Sequence, residues 1–360
     1  MTGVGVRRVV VVGAGIVGAS VAHHLGRAGA EVTLVDASLP ASGVTGASFG
    51  WIGGPAGGDV PDASTALRGT ALADWRGLEA EVDGVHVQWT GSVVWGADRV
   101  PAARDLVPGE RLLDADRVTA LEPALRRPPA LAVHRTRDGW VDPVVVTDAL
   151  VDALRTRGGS VLAGVAATAL VLDGGRVTGV DTTQGRLDAD TVVLAAGAAT
   201  PVLCAPLGMR IAVAPSFAVL VRLTAPSGLV RSLVDTGELE LRADGDGFVM
   251  SAAGHDGGLG RADLQRTGEQ VRQRVCATFA VDPAEVTVTR VLAGARPMPA
   301  DGLPVVGPLP GVAGAYVTVL HSGVTLAPAV GRLVAGEVLH GRPAAELEGL
   351  RPGRAAVSGR

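Results

Sequence analysis

The chain has 360 residues, 47% hydrophobic and 19% charged, which excludes a disordered segment and leaves room for two domains with substantial cores. A formal net charge of −4 and an isoelectric point near 6.0 provide no basic footprint for nucleic acid. The sequence contains no lysine, so a P-loop lysine, a pyridoxal Schiff base and a lysine nucleophile are excluded together.

The first element is a short buried strand, Val9 to Val12, followed at once by Gly13-Ala14-Gly15-Ile16-Val17-Gly18 in the pattern G-x-G-x-x-G. Helical spacing of Val17, Val21, His24 and Leu25 leads to Gly26–Gly29, and a second strand, Glu31 to Val35, stops on Asp36. Asp36 stands 23 positions after Gly13, close to the roughly 20 expected when an acid receives a ribose. Gly13 permits the turn, Gly15 lets the backbone approach a pyrophosphate, and Gly18 lets the helix pack on the strand. The helix start then offers N–H groups to phosphates. His23 and His24 on this helix are read as packing or solvent-facing residues.

Next comes a small-residue loop, Ala37 to Gly54, suited to lie along a ligand. A helix is predicted over 63–82, with Leu67, Leu72, Trp75 and Leu78 on one side, then strands over 85–95 broken at Gly91, a helix over 117–125 and a strand over 130–134. Pro143 starts a helix that runs to Gly158-Gly159. Strands follow over 160–172 and 176–181, then a buried strand over 191–197. From about Val213 to Arg290, alternating segments predict an antiparallel sheet interrupted by a helix over 268–279. Residues 293–307 read as a loop punctuated by glycine and proline; 315–320 reads as a strand, and a helix after His321-Ser322-Gly323 runs to about Leu339. The tail from Gly341 has little apolar content and is expected to be mobile.

Cys204 and Cys276 are in no metal-ligand spacing and read as buried free thiols in a reducing compartment; no metal is expected. Arg7-Arg8 imitates a twin-arginine signal, but the apolar run after it is the first strand of the nucleotide fold. Uncharged runs over 37–58, 191–209 and 302–331 are too interrupted by glycine and proline to span a membrane. The expectation is a soluble cytoplasmic protein.

Taken together, the G-x-G-x-x-G unit with its acid, Thr45 to Gly50, Val192 to Gly197, and Arg296-Pro297…Asp301-Gly302 with His321 to Pro328 resemble the FAD-dependent amine and amino-acid oxidoreductases related to D-amino-acid oxidase, glycine oxidase and sarcosine oxidase. The resemblance extends over nearly the whole chain; 54–134 and 213–290 match only in length and strand pattern. It implies an α/β fold, a Rossmann-like FAD-binding domain (1–53, 135–212, 291–360) interleaved with an α+β substrate domain built on an antiparallel sheet (54–134, 213–290).

Carried over residue by residue, Gly13, Gly15, Ile16 and Gly18 hold the FAD pyrophosphate and Asp36 with Ala37 the adenosine ribose end. Thr45, Gly46, Ser48, Phe49 and Gly50 pass beside the pyrophosphate, ribityl chain and flavin. Ala167 falls at the adenine, Gly197 closes the tunnel, and Ser322, Gly323, Val324, Thr325 and Leu326 place a helix start at the flavin's pyrimidine edge. Arg296 binds a substrate carboxylate, for which a planar guanidinium is suited. His321 tunes the flavin, touches substrate or caps the turn. The only tyrosine, Tyr316, precedes His321 on a strand, which argues against a tyrosine-assisted site. Gly294 lies near the place where some sarcosine oxidases carry a flavin-linked cysteine, so FAD is expected to be non-covalent.

The resemblance implies oxidation of the C–N bond of a small amine or amino acid by hydride transfer to flavin N5, with hydrolysis of the resulting imine. The electron acceptor is unknown from sequence: oxygen, a quinone and another protein all remain open. A nicotinamide-dependent dehydrogenase shares the opening unit but leaves Arg296-Pro297 and the Gly323 helix start unexplained, and a non-catalytic FAD-containing subunit is the third reading.

Overall fold

Four consecutive valines need cover on both sides, because alternate side chains of a strand point to opposite faces. The computed structural model describes residues 6–96, 99–255 and 259–354 and supplies that cover. The strand Arg8–Val12 lies inside a six-stranded sheet ordered Val305–Pro308, Ala315–Val319, Thr191–Leu194, Arg8–Val12, Glu31–Asp36, Ser160–Ala163. Neighbours run parallel except the first pair, which is antiparallel. Val9 and Val11 enter a core shared with the helices Ile16–Arg27, Thr65–Glu81, Pro143–Thr156 and Gly323–His340. Val10 and Val12 enter another, shared with the three-stranded antiparallel sheet Ala167–Asp173, Arg176–Thr182, Gly185–Asp188.

The second sheet has eight strands: Val288–Pro299, Val213–Thr224, Phe248–Gly254, Glu240–Ala243, Leu233–Asp235, Ser92–Val94, Ala132–Arg135 and Glu110–Leu113. Only the pairing of Leu233–Asp235 with Ser92–Val94 is parallel. The helix Arg261–Thr278 packs Val271 and Val275 on Val219, Val221 and Leu223. The alternate residue Leu220 points to the opposite face, with Phe49, Ala252 and Leu292.

Several expectations change. Residues 160–172 form two strands in different sheets, because the chain leaves the parallel sheet at Ala163 and re-enters as Ala167–Asp173. Residues 293–299, read as a loop, complete the twelve-residue strand Val288–Pro299. That strand is at the sheet edge, where Pro297 and Pro299 cost no ladder hydrogen bond. The helix Arg261–Thr278 starts seven residues earlier than predicted, at Arg261. Of 85–95 only Ser92–Val94 is a strand. The described part of the tail, 341–354, is packed: Leu347 and Leu350 are fully buried and Arg351 pairs with Glu337 at 2.6 Å. Both cysteines are free, Cys204 buried and Cys276 half-buried. Among the described residues no helix is long and apolar enough to cross a membrane.

Thr65–Glu81 joins the helical core of the first sheet, although it follows Gly54 in sequence. Its Trp75 is fully buried there, and Trp75 Nε1 donates to the Thr325 carbonyl at 3.0 Å. Arg332 on the last helix makes a two-point ion pair with Asp74, at 2.6 and 3.1 Å.

Candidate active site

A cavity of about 970 Å³ runs from the first strand-helix turn to the start of the last helix. It stands near the upper end of the ~300–1,000 Å³ usual for ligand sites, which suits an extended dinucleotide with a small substrate better than a small substrate alone.

At one end Gly13, with φ of +105°, turns the chain under the sheet; a Cβ there would stand 2.5 Å from the Ala195 carbonyl oxygen. Gly18 does not line the cavity. A Cβ on it would fall 1.8 Å from the Gly13 carbonyl oxygen, so its absence lets the helix Ile16–Arg27 start hard against the turn. Gly15 and Ile16 line the space, and the Thr45 hydroxyl accepts from Ile16 N–H at 3.1 Å, tying the loop to the helix start. Asp36 accepts from the N–H groups of Ala14 and Ser38 at 2.7 and 2.8 Å, which fixes its carboxylate at the strand end beside Ala37. Ala167 and Gly197 line the same space.

Along the middle run Thr45, Ser48, Phe49 and Gly50. Gly46 is outside the lining and packs instead, a Cβ there meeting the Ala41 carbonyl oxygen at 2.8 Å. Sequence reading missed the residue that secures this loop: Arg242, almost fully buried, donates from Nε to the Phe49 carbonyl at 2.7 Å and stacks 4.1 Å from the Trp140 ring centroid. Asp244 balances its charge at 2.9 Å. It also missed the two-stranded ladder of Trp51–Ile52 with Gly139–Trp140. There Asp138 accepts from Trp51 Nε1 and Ser92 Oγ, and burial pushes its carboxyl above the usual range.

At the far end Ser322, Gly323, Val324, Thr325 and Leu326 line the cavity as the last helix begins. Thr325 Oγ1 donates to the Trp51 carbonyl at 2.9 Å, so the helix start and the loop are held together. A helix start presents unpaired N–H groups and partial positive charge. Arg296 lines the same end. Its hydrogen bonds, at 2.7 Å to Ser216 Oγ and 3.4 Å to the Ser216 carbonyl, leave the guanidinium with no carboxylate in ion-pair range among the described residues. His321 lies beside it. Burial first, and then the Arg296 charge, hold its imidazole below the ordinary histidine range, favouring the neutral ring. Tyr316 is elsewhere, its hydroxyl donating to Glu337 at 2.6 Å.

A second missed residue is Glu240, which lines the cavity. Burial, then the nearby Asp235, push it up to about 7. The only signal in sequence was the alternation Leu239-Glu240-Leu241-Arg242, which reads equally as a strand with a solvent face.

These features fit FAD: a backbone cradle at Gly13, an acid at Asp36, a loop of small residues, and a helix start at the end where a reduced ring would carry negative charge. The family described as FAD dependent oxidoreductase matches residues 8–337. Glycine oxidase of Pseudomonas aeruginosa is 30% identical over 93% of this chain and 95% of that protein. A D-amino acid dehydrogenase of Cereibacter sphaeroides is 32% identical over 72% of this chain and 62% of that protein. Among solved structures, glycine oxidase from Geobacillus kaustophilus superposes with a TM-score of 0.85 at 22% identity, covering 97% of this chain and 99% of that one. Iminodiacetate oxidase from Chelativorans sp. BNC1 gives 0.80 at 25%, covering 96% and 99%. The chain belongs to the FAD-dependent oxidoreductase family that these proteins represent.

Proposed function

We propose that this enzyme oxidises the C–N bond of a small amine bearing a carboxylate, an amino acid or N-alkylated amino acid, to an imine that water hydrolyses. The observation that carries the reading is Arg296, a guanidinium with no carboxylate partner among the described residues, opening into the cavity that the Gly323 helix start also lines. FAD, bound without a covalent link, supplies the hydride acceptor at N5.

The chain's own residues do the remainder. Arg296 grips the carboxylate bidentately and so orients the carbon to be oxidised. The N–H groups of the Gly323 helix start would hold the flavin ring and favour negative charge on it, in a site that Phe49, Trp51 and Leu220 help keep dry. His321, which burial and the Arg296 charge keep toward the neutral form, lines the same end and would accept a hydrogen bond from the substrate. The glycine oxidase and D-amino acid dehydrogenase relatives support an amino-acid substrate, and two free cysteines support a reducing, cytoplasmic setting.

The test is anaerobic mixing of the yellow holoprotein with D-amino acids, glycine, sarcosine and proline. Bleaching of flavin absorption by at least one is expected. A flavin that none of them reduces would favour a non-catalytic FAD-containing subunit.

A further inference from the structure

Glu240 stands in a row that crosses the eight-stranded sheet. It pairs with Ala252, Ala252 with Leu220, and Leu220 with Leu292. Directly paired residues share a face, and Arg296, four residues beyond Leu292 on one strand, shares it too. The neighbour Leu241 points the other way, into the core under the helix Arg261–Thr278. The cavity face of this sheet is thus bipolar: a guanidinium at one side, a carboxyl at the other, apolar side chains between.

The carboxyl of Glu240 makes no hydrogen bond among the described residues, although its residue is largely shielded from solvent. The charges that act on it are Asp235 on the adjacent strand, Arg99, which pairs with Asp235, and Arg296 across the cavity. A carboxyl that served only the fold would be expected to spend its acceptors on neighbouring donors, as Glu122 does with the Arg231 and Ser232 N–H groups and the Ser232 hydroxyl.

We propose that Glu240 recognises the substrate's amino nitrogen opposite Arg296 and takes its ammonium proton. The inference rests on the amino-acid reading above and adds a second recognition group to it. An amino acid arrives as a zwitterion, and its nitrogen lone pair must be free before the carbon gives up hydride. In the step assigned to Glu240 one N–H bond of the ammonium breaks, an O–H bond forms on the carboxylate, and the electron pair stays on nitrogen. A carboxyl that burial and the nearby Asp235 push up to about 7 is matched to receiving that proton at neutral pH.

Two probes of similar shape test this without turnover. 2-Aminoisobutyrate has an ammonium and a carboxylate but no α-hydrogen to lose; pivalate replaces the ammonium with a methyl group. Their affinities for the holoprotein are measured calorimetrically in wild type and Glu240→Gln, which preserves the side chain's size and is checked for unchanged flavin content. Wild type should prefer 2-aminoisobutyrate, and the variant should bind it at least tenfold more weakly while binding pivalate equally or more tightly. No wild-type preference, or equal losses for both probes, overturns the proposal. If no amine bleaches the flavin but the probes still discriminate, the oxidase reading fails while recognition by Glu240 stands.

Discussion

The two ends of the cavity are built on different principles. At the end assigned to the nucleotide the candidate groups are mostly backbone, the Gly13 turn and the N–H groups of the first helix start, joined by one side chain, the Asp36 carboxylate held by two N–H donors. At the end we assign to the substrate the candidate groups are side chains, Arg296, His321 and Glu240, gathered from segments as far apart as 240 and 321. A backbone site depends on the absence of atoms and tolerates little change. A side-chain site depends on which groups are present, so its selectivity can be altered while the frame is kept.

The largest expected effect tests the first half of that contrast. Gly18→Val places atoms where even a Cβ would lie 1.8 Å from the Gly13 carbonyl oxygen, and backbone has nowhere to move. A loss of about 4 kcal/mol or more is expected, read as a lower urea midpoint and colourless protein. Normal stability with full flavin content would break the contrast.

Arg296→Leu should behave differently: yellow, stable protein whose affinity for carboxylate substrates falls by about 3 kcal/mol, measured as the substrate concentration needed to bleach flavin anaerobically. Unchanged affinity would remove Arg296 from substrate binding.

A third test concerns frame stability alone. His23 is fully buried on the first helix, 3.4 Å from Glu81 and near His24, Arg27 and Arg157. Burial first, then His24, lowers its pKa from 6.5 to about 4. Between those values the unfolded chain binds a proton that the folded chain does not, so stability falls as pH drops from about 6.5 to 4. Denaturant midpoints at pH 7 and 5 should differ by a contribution of about 2 kcal/mol from this group, and His23→Leu should reduce the difference. An undiminished acid limb in the variant would exclude His23 as its source.

The smallest effect is expected for Asp36→Asn, which keeps an acceptor for one N–H donor but loses the charge. FAD affinity should weaken by about 1–2 kcal/mol, seen as flavin lost on dilution or dialysis. Retention equal to wild type would show that the backbone cradle suffices.

The same contrast explains what could be read in the sequence. Residues 9–36 form a strand-turn-helix-strand unit whose geometry is local, so spacing alone identified it, and the structure reproduces it as Arg8–Val12, Ile16–Arg27 and Glu31–Asp36. Arg296 enters as a candidate only through the family resemblance that Arg296-Pro297 helps carry, and the same prolines make an edge strand resemble a loop. Glu240 and Arg242 were passed over because alternation gives two faces without saying which meets water; that is decided by the loop carrying Phe49, nearly two hundred residues earlier. Leu347 and Leu350 were too few to suggest packing, and they pack because a buried partner surface was waiting for them.

The hydrogen bond from Trp75 to Thr325 carries a consequence for engineering. Exchanging the middle of this chain for that of a relative, to import another specificity, would also replace the indole that steadies the last helix where it borders the cavity. A graft spanning 54–134 should therefore disturb cofactor colour and potential along with substrate choice, whereas a transplant limited to the strands over 213–254 would leave that anchor in place.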